Sequence, residues 1–590
     1  MHPSPSRSTI PRQGGYGRKG TSSGIRSPRT APLCFGHRGF AVTKHFKAWN
    51  LIVALTFTIL FFAVLYPLLN IFRASFVHPE TGVFSLKSYA SIFNYPFYLR
   101  CLRNSLFVSA LGTLFAVAIG IPFAFLLARY RIPGKNLLKT LGTLPLILPT
   151  FIGAEAWLIL LGRNGMFAKL FQPLGIEIPS IYGWKGIVLV FALQFFPFVF
   201  LMVSSAINAI DRSLEEAATN LGAGRLRVFL TVTLPVIMPS ILSGGLVVFY
   251  LCIENFGVPV LIGEDFRVLS VQAYNEFISE MGGNPSMAGA LSMVLLAITL
   301  SLTLLQKYWV ERKNYAMTSL NPLEVKRLGP LGTFLGWLFC AGLVFVALFP
   351  FAVVMVSSIT KTQGPVMYWG QFSLDNFIRA VTIAPRPIIN SFFLATTATL
   401  IGIVFGVAVS YLLVRRRGVV SYLIDVLVML PLAIAGTVQG IALAATYNRG
   451  VIVLTGTWMI LVLAYFIRKA PYSIKTTSSL LQQIDASIEE ASINLGVPPV
   501  RSFIKVVIPV MLPGIIAGGI IMWVTTLAEL SSTIVLYYGP WATMTVEIFQ
   551  RIGSGDFGPA SAYATILIIS VLIPLFILNR VSGKDIASSL

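Results

Sequence analysis

The sequence predicts an all-α integral membrane protein with about twelve transmembrane helices, laid out as two tandem six-helix halves. Three observations predict it. Of 590 residues, 56% are hydrophobic and only 11% are charged, against about 25% charged in a typical soluble domain. Apolar runs long enough to cross a bilayer, roughly 20 residues each, recur along the whole chain. A thirteen-residue segment also appears twice, 274 positions apart.

The composition excludes a soluble globular enzyme, and the mean hydropathy of +0.80 agrees. The four cysteines, Cys34, Cys101, Cys252 and Cys340, contain no CxxC pair, which argues against a disulfide framework or a zinc site. The last of the four histidines is His78, so no imidazole is available for a metal site deeper in the membrane region. Residues 1–46 are rich in Ser, Pro, Gly, Arg and Lys, and the first acidic residue is Glu80. This stretch is expected to be a disordered basic cytoplasmic tail. An organelle transit peptide or a mis-assigned start would share its composition. A secretory signal is excluded, because no apolar core with a cleavage site follows closely.

Twelve apolar stretches follow, at about 48–72, 104–128, 137–161, 186–206, 236–257, 287–306, 330–357, 390–414, 421–446, 451–467, 510–531 and 561–579. Runs of this length are helices, since only helices or closed barrels satisfy the backbone inside lipid and barrel strands are shorter and alternating. With the N-terminus placed in the cytoplasm, 31 of the 44 basic residues fall on the cytoplasmic side. That is the positive-inside pattern, and an even number of spans puts both termini there. The net charge of +22 is therefore mostly a topology signal and gives no support to nucleic-acid binding.

The repeat defines the halves. Residues 210–222 (IDRSLEEAATNLG) and 484–496 (IDASIEEASINLG) match at nine of thirteen positions. The same offset of 274 relates Pro197 to Pro471, Pro235 to Pro509 and Gly244 to Gly518. Upstream the offset is 286, relating Asn104-Ser105 to Asn390-Ser391 and Leu144-Pro145 to Leu430-Pro431. The twelve extra residues of the first half are assigned to the 162–185 loop, where added length costs least. The halves are read as 47–310 and 330–590, joined by a linker at 311–329.

Each repeated segment falls between the fourth and fifth spans of its half. Ser213–Glu216 and Ser487–Glu490 each read S-x-x-E, the pattern of a capping box. Gly222 and Gly496 are placed to end a helix of about two turns. An ordinary interfacial helix would explain one copy. Two copies keeping acids, Gly and Pro in register suit docking to a two-fold partner.

The segment resembles the EAA motif of binding-protein-dependent ABC importer permeases, E-A-A-x3-G-x9-I-x-L-P. The first copy supplies Glu216-Ala217-Ala218, Gly222, Val232 and Leu234-Pro235. The second supplies Glu490-Ala491-Ser492, Gly496, Val506 and Ile508-Pro509, with Ser492 in place of Ala. The resemblance spans about residues 100–310 and 385–580. It implies that each segment is a coupling helix seated on a cytoplasmic ABC ATPase dimer, with Glu216 and Glu490 at the contact. The chain has no G-x-x-x-x-G-K-[ST] loop, so it binds no cofactor itself, and ATP and Mg belong to the partner. A solute-binding protein would deliver substrate on the outer face of a bacterial inner membrane. Lipid surrounds the chain, and no nucleic acid is expected.

Three carboxylates fall inside the expected spans: Glu155, Glu254 and Glu529. Intramembrane charges are costly and mark functional sites by default. Glu254-Asn255 and Glu529 lie at equivalent places, one residue out of step, and with Glu155 they are the candidate substrate pathway. An interface position, neutral or bonded to a neighbouring helix, is the bland alternative for each. With no base in the same spans, the acids favour a cation, and oxygen ligands suit a hard trivalent ion. The fused layout and the stretch from Glu254 to Gly263 (ENFGVPVLIG) are most similar to the ferric-iron group. Thiamine, a polyamine and 2-aminoethylphosphonate are the alternatives. A secondary transporter shares twelve spans and tandem halves but needs no capped cytoplasmic helix.

Overall fold

The computed structural model describes residues 39–582 apart from 79–80, 164, 176–178, 280–282, 313–324, 364–365, 417 and 451. The expected tail lies outside the described residues up to position 38. From Gly39 the chain is helical, eight residues earlier than expected. Helix α1 comprises Gly39–Leu60 and Tyr66–Ser75, joined by a π-helical turn at Phe61–Leu65. Most of the expected 311–329 linker is likewise undescribed.

The first half continues with α2 (Pro96–Arg129), α3 (Lys135–Ile147), α4 (Thr150–Leu161), α5 (Trp184–Ala209), the short α6 (Arg212–Asn220), α7 (Leu234–Glu254) and α8 (Pro285–Arg312). The second half repeats the order as α9 (Pro330–Ser358), α10 (Arg386–Arg415), α11 (Val419–Met429), α12 (Gly436–Tyr447), α13 (Trp458–Gln483), the short α14 (Ala486–Asn494), α15 (Ile508–Leu527) and α16 (Phe557–Ser582). After α9 a hairpin pairs Thr360–Gln363 antiparallel with Val366–Phe372, Thr360 opposite Phe372.

Among the described residues nine helices are long and apolar enough to cross a bilayer, and the bent pairs α3–α4 and α11–α12 make eleven. The pairs bend by 98° and 105°. The twelfth is α13, 26 residues long but carrying Arg468, Lys469 and Lys475 in its middle. The expected tenth span, 451–467, is corrected here: the helix starts seven residues later and continues sixteen residues past Ile467. The apolar run stops at Ile467, but the helix does not, because Arg468 and Lys469 are enclosed by protein and paired with carboxylates, while Lys475, further along, is exposed and pairs with Asp425.

The length difference between the halves falls where expected. Residues 162–183 join α4 to α5, twenty-two against the ten of 448–457 between α12 and α13. The longer connection carries its own short helix, Met166–Phe171.

Small residues allow close crossings in the absence of a hydrophobic drive between helices in lipid. A Cβ on Gly120 of α2 would stand 2.9 Å from Val199 Cβ of α5, and one on Gly406 of α10 would stand 2.6 Å from Ser473 Oγ of α13. Both pairs obey the repeat offsets. α5 is the innermost apolar span: 78% of its most apolar stretch is buried, against 28% for α1.

The halves exchange their first helices. α9 packs on α3 and α4 of the first half, and the Tyr66–Ser75 segment of α1 packs on α12 of the second. Asn70 donates to Thr446 Oγ1 at 3.1 Å, and the Tyr447 hydroxyl donates to the Phe62 carbonyl at 2.6 Å. One buried apolar cluster runs across the seam, including Phe151 and Ile152 from one half and Val524 and Leu527 from the other.

Candidate translocation site and coupling helices

A cavity of about 390 Å³ lies at the seam, lined from the first half by Phe151, Tyr250, Glu254 and Asn255 and from the second by Arg468 and Glu529, among others. Glu254 closes α7, and Glu529 stands two residues beyond α15. Burying a charge is tolerated only with a partner, and both acids have one. Arg468 Nη2 lies 3.4 Å from Glu254 Oε2, and its Nε lies 3.3 Å from Glu529 Oε2. Lys469 Nζ lies 2.6 Å from Glu529 Oε2. The Tyr250 hydroxyl stands 2.9 Å from Glu254 Oε2 and against the Leu432 carbonyl of the other half. Two acids and two bases form one electroneutral cluster, and Arg468 bridges the halves.

This corrects the charge argument made from the spans alone. The acids lack a base on their own helices but gain two from α13, which the sequence reading had placed in a cytoplasmic loop. Asn255 donates to Thr150 Oγ1 at 3.2 Å and accepts from the Val258 N–H at 3.0 Å. Glu529 accepts the equivalent N–H, that of Ser532, at 3.3 Å. Glu155 is placed elsewhere. It is fully buried outside the cavity lining, its Oε1 accepting from Ser561 Oγ at 3.2 Å, with Ser357 beyond.

The matched Asn-Ser pairs each bind backbone of the segment that follows α7 or α15. Asn104 donates to the Arg267 carbonyl at 3.0 Å, and Asn390 to the Pro540 and Ala542 carbonyls at 2.9 and 2.8 Å. Ser105 accepts from the Leu269 N–H at 2.7 Å, and Ser391 from the Met544 N–H at 2.8 Å.

The short helices α6 and α14 have the same construction. Their N-caps are Asp211 and Asp485, in extended backbone, each accepting the N–H two residues on at 2.9 Å. The expected capping boxes at Ser213–Glu216 and Ser487–Glu490 are therefore corrected: a carboxylate already in cap geometry precedes each serine, and Glu216 pairs with Arg212 one turn back. The Ser487 N–H holds the Asp485 carboxyl below its usual range. Both helices end in a Schellman turn. Gly222 and Gly496 sit at φ +83° and +88°, and Ala223 and Val497 donate to the Ala218 and Ser492 carbonyls at 3.1 and 3.2 Å. Glu216, Ala217, Glu490 and Ala491 are exposed, while Ala218 and Ser492 are half-buried. Leu221 and Leu495, at the tips, are 89% and 86% exposed.

The sequence reading missed Arg468, Lys469 and Tyr250 at the cavity, and Glu215 and Glu489 beside the motif glutamates. Pro471 was the available signal for the first two. It matches Pro197, which lies inside its span, so Arg468 and Lys469 had to lie inside theirs.

The family profile of the binding-protein-dependent transport system inner membrane component matches residues 120–315 and again 398–587. The chain is 26% identical over 537 residues to the ferric transport system permease protein FbpB of Actinobacillus pleuropneumoniae, covering 89% of this chain and 77% of that one. It is 36% identical over 214 residues to the molybdenum transport system permease protein ModB of Escherichia coli K12, covering 35% of this chain and 91% of that one. A solved bacterial ABC transporter for alginate import aligns with 45% of this chain and 98% of its own at 20% identity, with a TM-score of 0.38. Two copies of the family domain in one chain, on a mostly helical fold with paired short helices, lead to one conclusion: this chain belongs to the binding-protein-dependent transport system inner membrane component family, as a multi-pass inner-membrane permease of an ABC importer and not an enzyme.

Proposed function

We propose that the chain is the complete pore of an ATP-driven importer for ferric iron, received from a solute-binding protein. Substrate passes through the cavity at the seam. α6 and α14 dock on a separate ATPase dimer on the cytoplasmic side, where both termini also lie. The observation that carries this reading is the pair of identically capped helices, each presenting an exposed leucine and an exposed Glu-Ala. ATPase closure moves both helices and rocks the halves about the seam.

For the cargo, the ferric permease relative aligns with nearly the whole chain, whereas the molybdenum relative aligns with about a third of it. Glu254 and Glu529 offer the hard oxygen donors a trivalent cation prefers. To use them the cation must displace Arg468 and Lys469, so the carboxylates serve passage rather than storage. Arg468 and Lys469 favour a second reading, an oxyanion, which the 36% identity to the molybdenum permease also supports.

The test is ATPase stimulation and uptake in proteoliposomes holding this chain, its ATPase and its binding protein. Ferric-loaded binding protein should stimulate hydrolysis and drive iron uptake. Stimulation by the molybdate-loaded form instead would overturn the ferric reading and leave the importer intact.

A further inference from the structure

Beside the motif glutamates that face outward, each short helix carries one acid that faces in. Glu215 and Glu489 are 9% and 7% exposed, whereas Glu216 and Glu490 are exposed. Each buried acid meets an arginine at the end of the second long helix of its own half. Arg129 Nη2 of α2 contacts both oxygens of Glu215, at 2.6 Å from Oε1. Thr233 donates to Oε1 at 3.0 Å, and Lys326 Nζ stands 3.8 Å from Oε2. In the second half Arg415 Nε of α10 lies 3.7 Å from Glu489 Oε2, and the Tyr411 hydroxyl donates to Oε1 at 2.6 Å.

The recurrence is informative because two different offsets are needed to produce it. Arg129 maps to Arg415 at 286, and Glu215 maps to Glu489 at 274. The twelve-residue difference between the halves lies between the partners, yet both pairs meet. Apart from these contacts, the principal packing neighbours of α6 and α14 are the turns that follow them, Arg225–Thr233 and Pro499–Val507. The ion pair, joined in the second half by the Tyr411–Glu489 hydrogen bond, is thus a direct polar link from each short helix to a long helix other than its chain neighbours.

We propose that Arg129–Glu215 and Arg415–Glu489 are the two struts that carry motion of the coupling helices into α2 and α10. In the first half a buried, hydrogen-bonded charge pair holds its partners in one geometry, where an apolar contact could slide; in the second the Tyr411 hydroxyl supplies the hydrogen bond to Glu489 and Arg415 stands beside it as the opposing charge. The two arginines are positioning residues: they touch neither substrate nor nucleotide. The assignment rests on the reading of α6 and α14 as the ATPase-docking helices.

The experiment uses the full complex in proteoliposomes. The variant is R129Q/E215Q, which removes both charges and keeps both side chains polar, and R129K is the conservative control. Two readouts are taken: disulfide cross-linking of L221C to a cysteine on the ATPase surface, and the ratio of binding-protein-stimulated to basal hydrolysis with the substrate moved per ATP. The expected result is that cross-linking persists while the ratio falls about fivefold or more, the lower end of site-to-site coupling, with R129K restoring part of it. An unchanged ratio and unchanged transport per ATP in the assembled variant would overturn the strut. Failure of both L221C and L495C to cross-link in the otherwise unaltered chain would overturn the docking reading itself. If R129Q/E215Q does not assemble, R415Q/E489Q reads the same ratio at the second strut.

Discussion

Arg468 and Gln194 hold the same position in the two halves and reach the same backbone carbonyl, Ile434 in one half and Leu148 in the other. Beyond that shared bond they differ. Gln194 stops at backbone oxygens, while Arg468 also reaches two carboxylates, one of them across the seam. Glu529 likewise stands where the first half has Asn255, and both accept the N–H three residues on. The second half is therefore a charged version of a neutral amide arrangement.

That correspondence predicts non-additive mutations. R468Q leaves a buried acid with lost compensation, which typically costs about 3–5 kcal/mol, and the thermal midpoint of the detergent-solubilised protein should fall sharply. R468Q/E529Q, which approaches the amide pattern of the first half, should recover part of the loss. A double-mutant cycle should give a coupling energy of about 0.5–3 kcal/mol. Losses that simply add would mean the pair is not a unit.

The pathway carboxylates should separate in transport. E254Q removes the acid that faces the cavity and meets Arg468, and substrate uptake should fall about tenfold or more, roughly 1.4 kcal/mol of barrier. E155Q changes a group that lies off the cavity among serines, and uptake should stay within about twofold. Equal losses in the two variants would remove the cavity from the pathway.

The Schellman glycines should be sensitive for a purely local reason. A Cβ at Gly222 or Gly496 meets no atom within 4 Å, so only the positive φ opposes it. Left-handed backbone costs a non-glycine residue about 1–2 kcal/mol. G222A/G496A should insert and fold normally yet co-purify less ATPase, and G222N/G496N should be milder because Asn tolerates that region. Retention of ATPase at the parental level would show that the turns are dispensable.

The crossing of α10 with α13 should fail for the opposite reason, lack of space. G406A places a methyl group 2.6 Å from Ser473 Oγ and 3.3 Å from its Cβ. Overpacking of this kind costs about 1–3 kcal/mol, read as a lower thermal midpoint in detergent. S473G in the same chain should restore most of it.

Much of this was legible before any coordinates. The spans follow from length and apolarity, and the tandem halves follow from nine matched residues in thirteen. The site of the twelve-residue insertion follows from the change in offset alone. The N-cap was misplaced because Asp and Ser are near-equal cap residues, and choosing Asp211 over Ser213 needs the backbone angles. Arg468 was missed because hydropathy reads lipid contact, while an inner helix answers to its neighbours. Glu215 and Glu216 cannot be told apart by composition; the helix phase that buries one and exposes the other appears only once α2 is in place beside them.

The exchange of first helices has a consequence for how the chain is made. When α8 has left the ribosome, α3 and α4 still lack the surface that α9 supplies, and α1 has no α12 to lie against. The amino-terminal half cannot finish maturing until its repeat has been synthesised. The two repeats are units of descent, but they are not units of assembly. Expressed as separate polypeptides cut within 313–324, each should be cleared by quality-control proteases when alone and persist when the other is present.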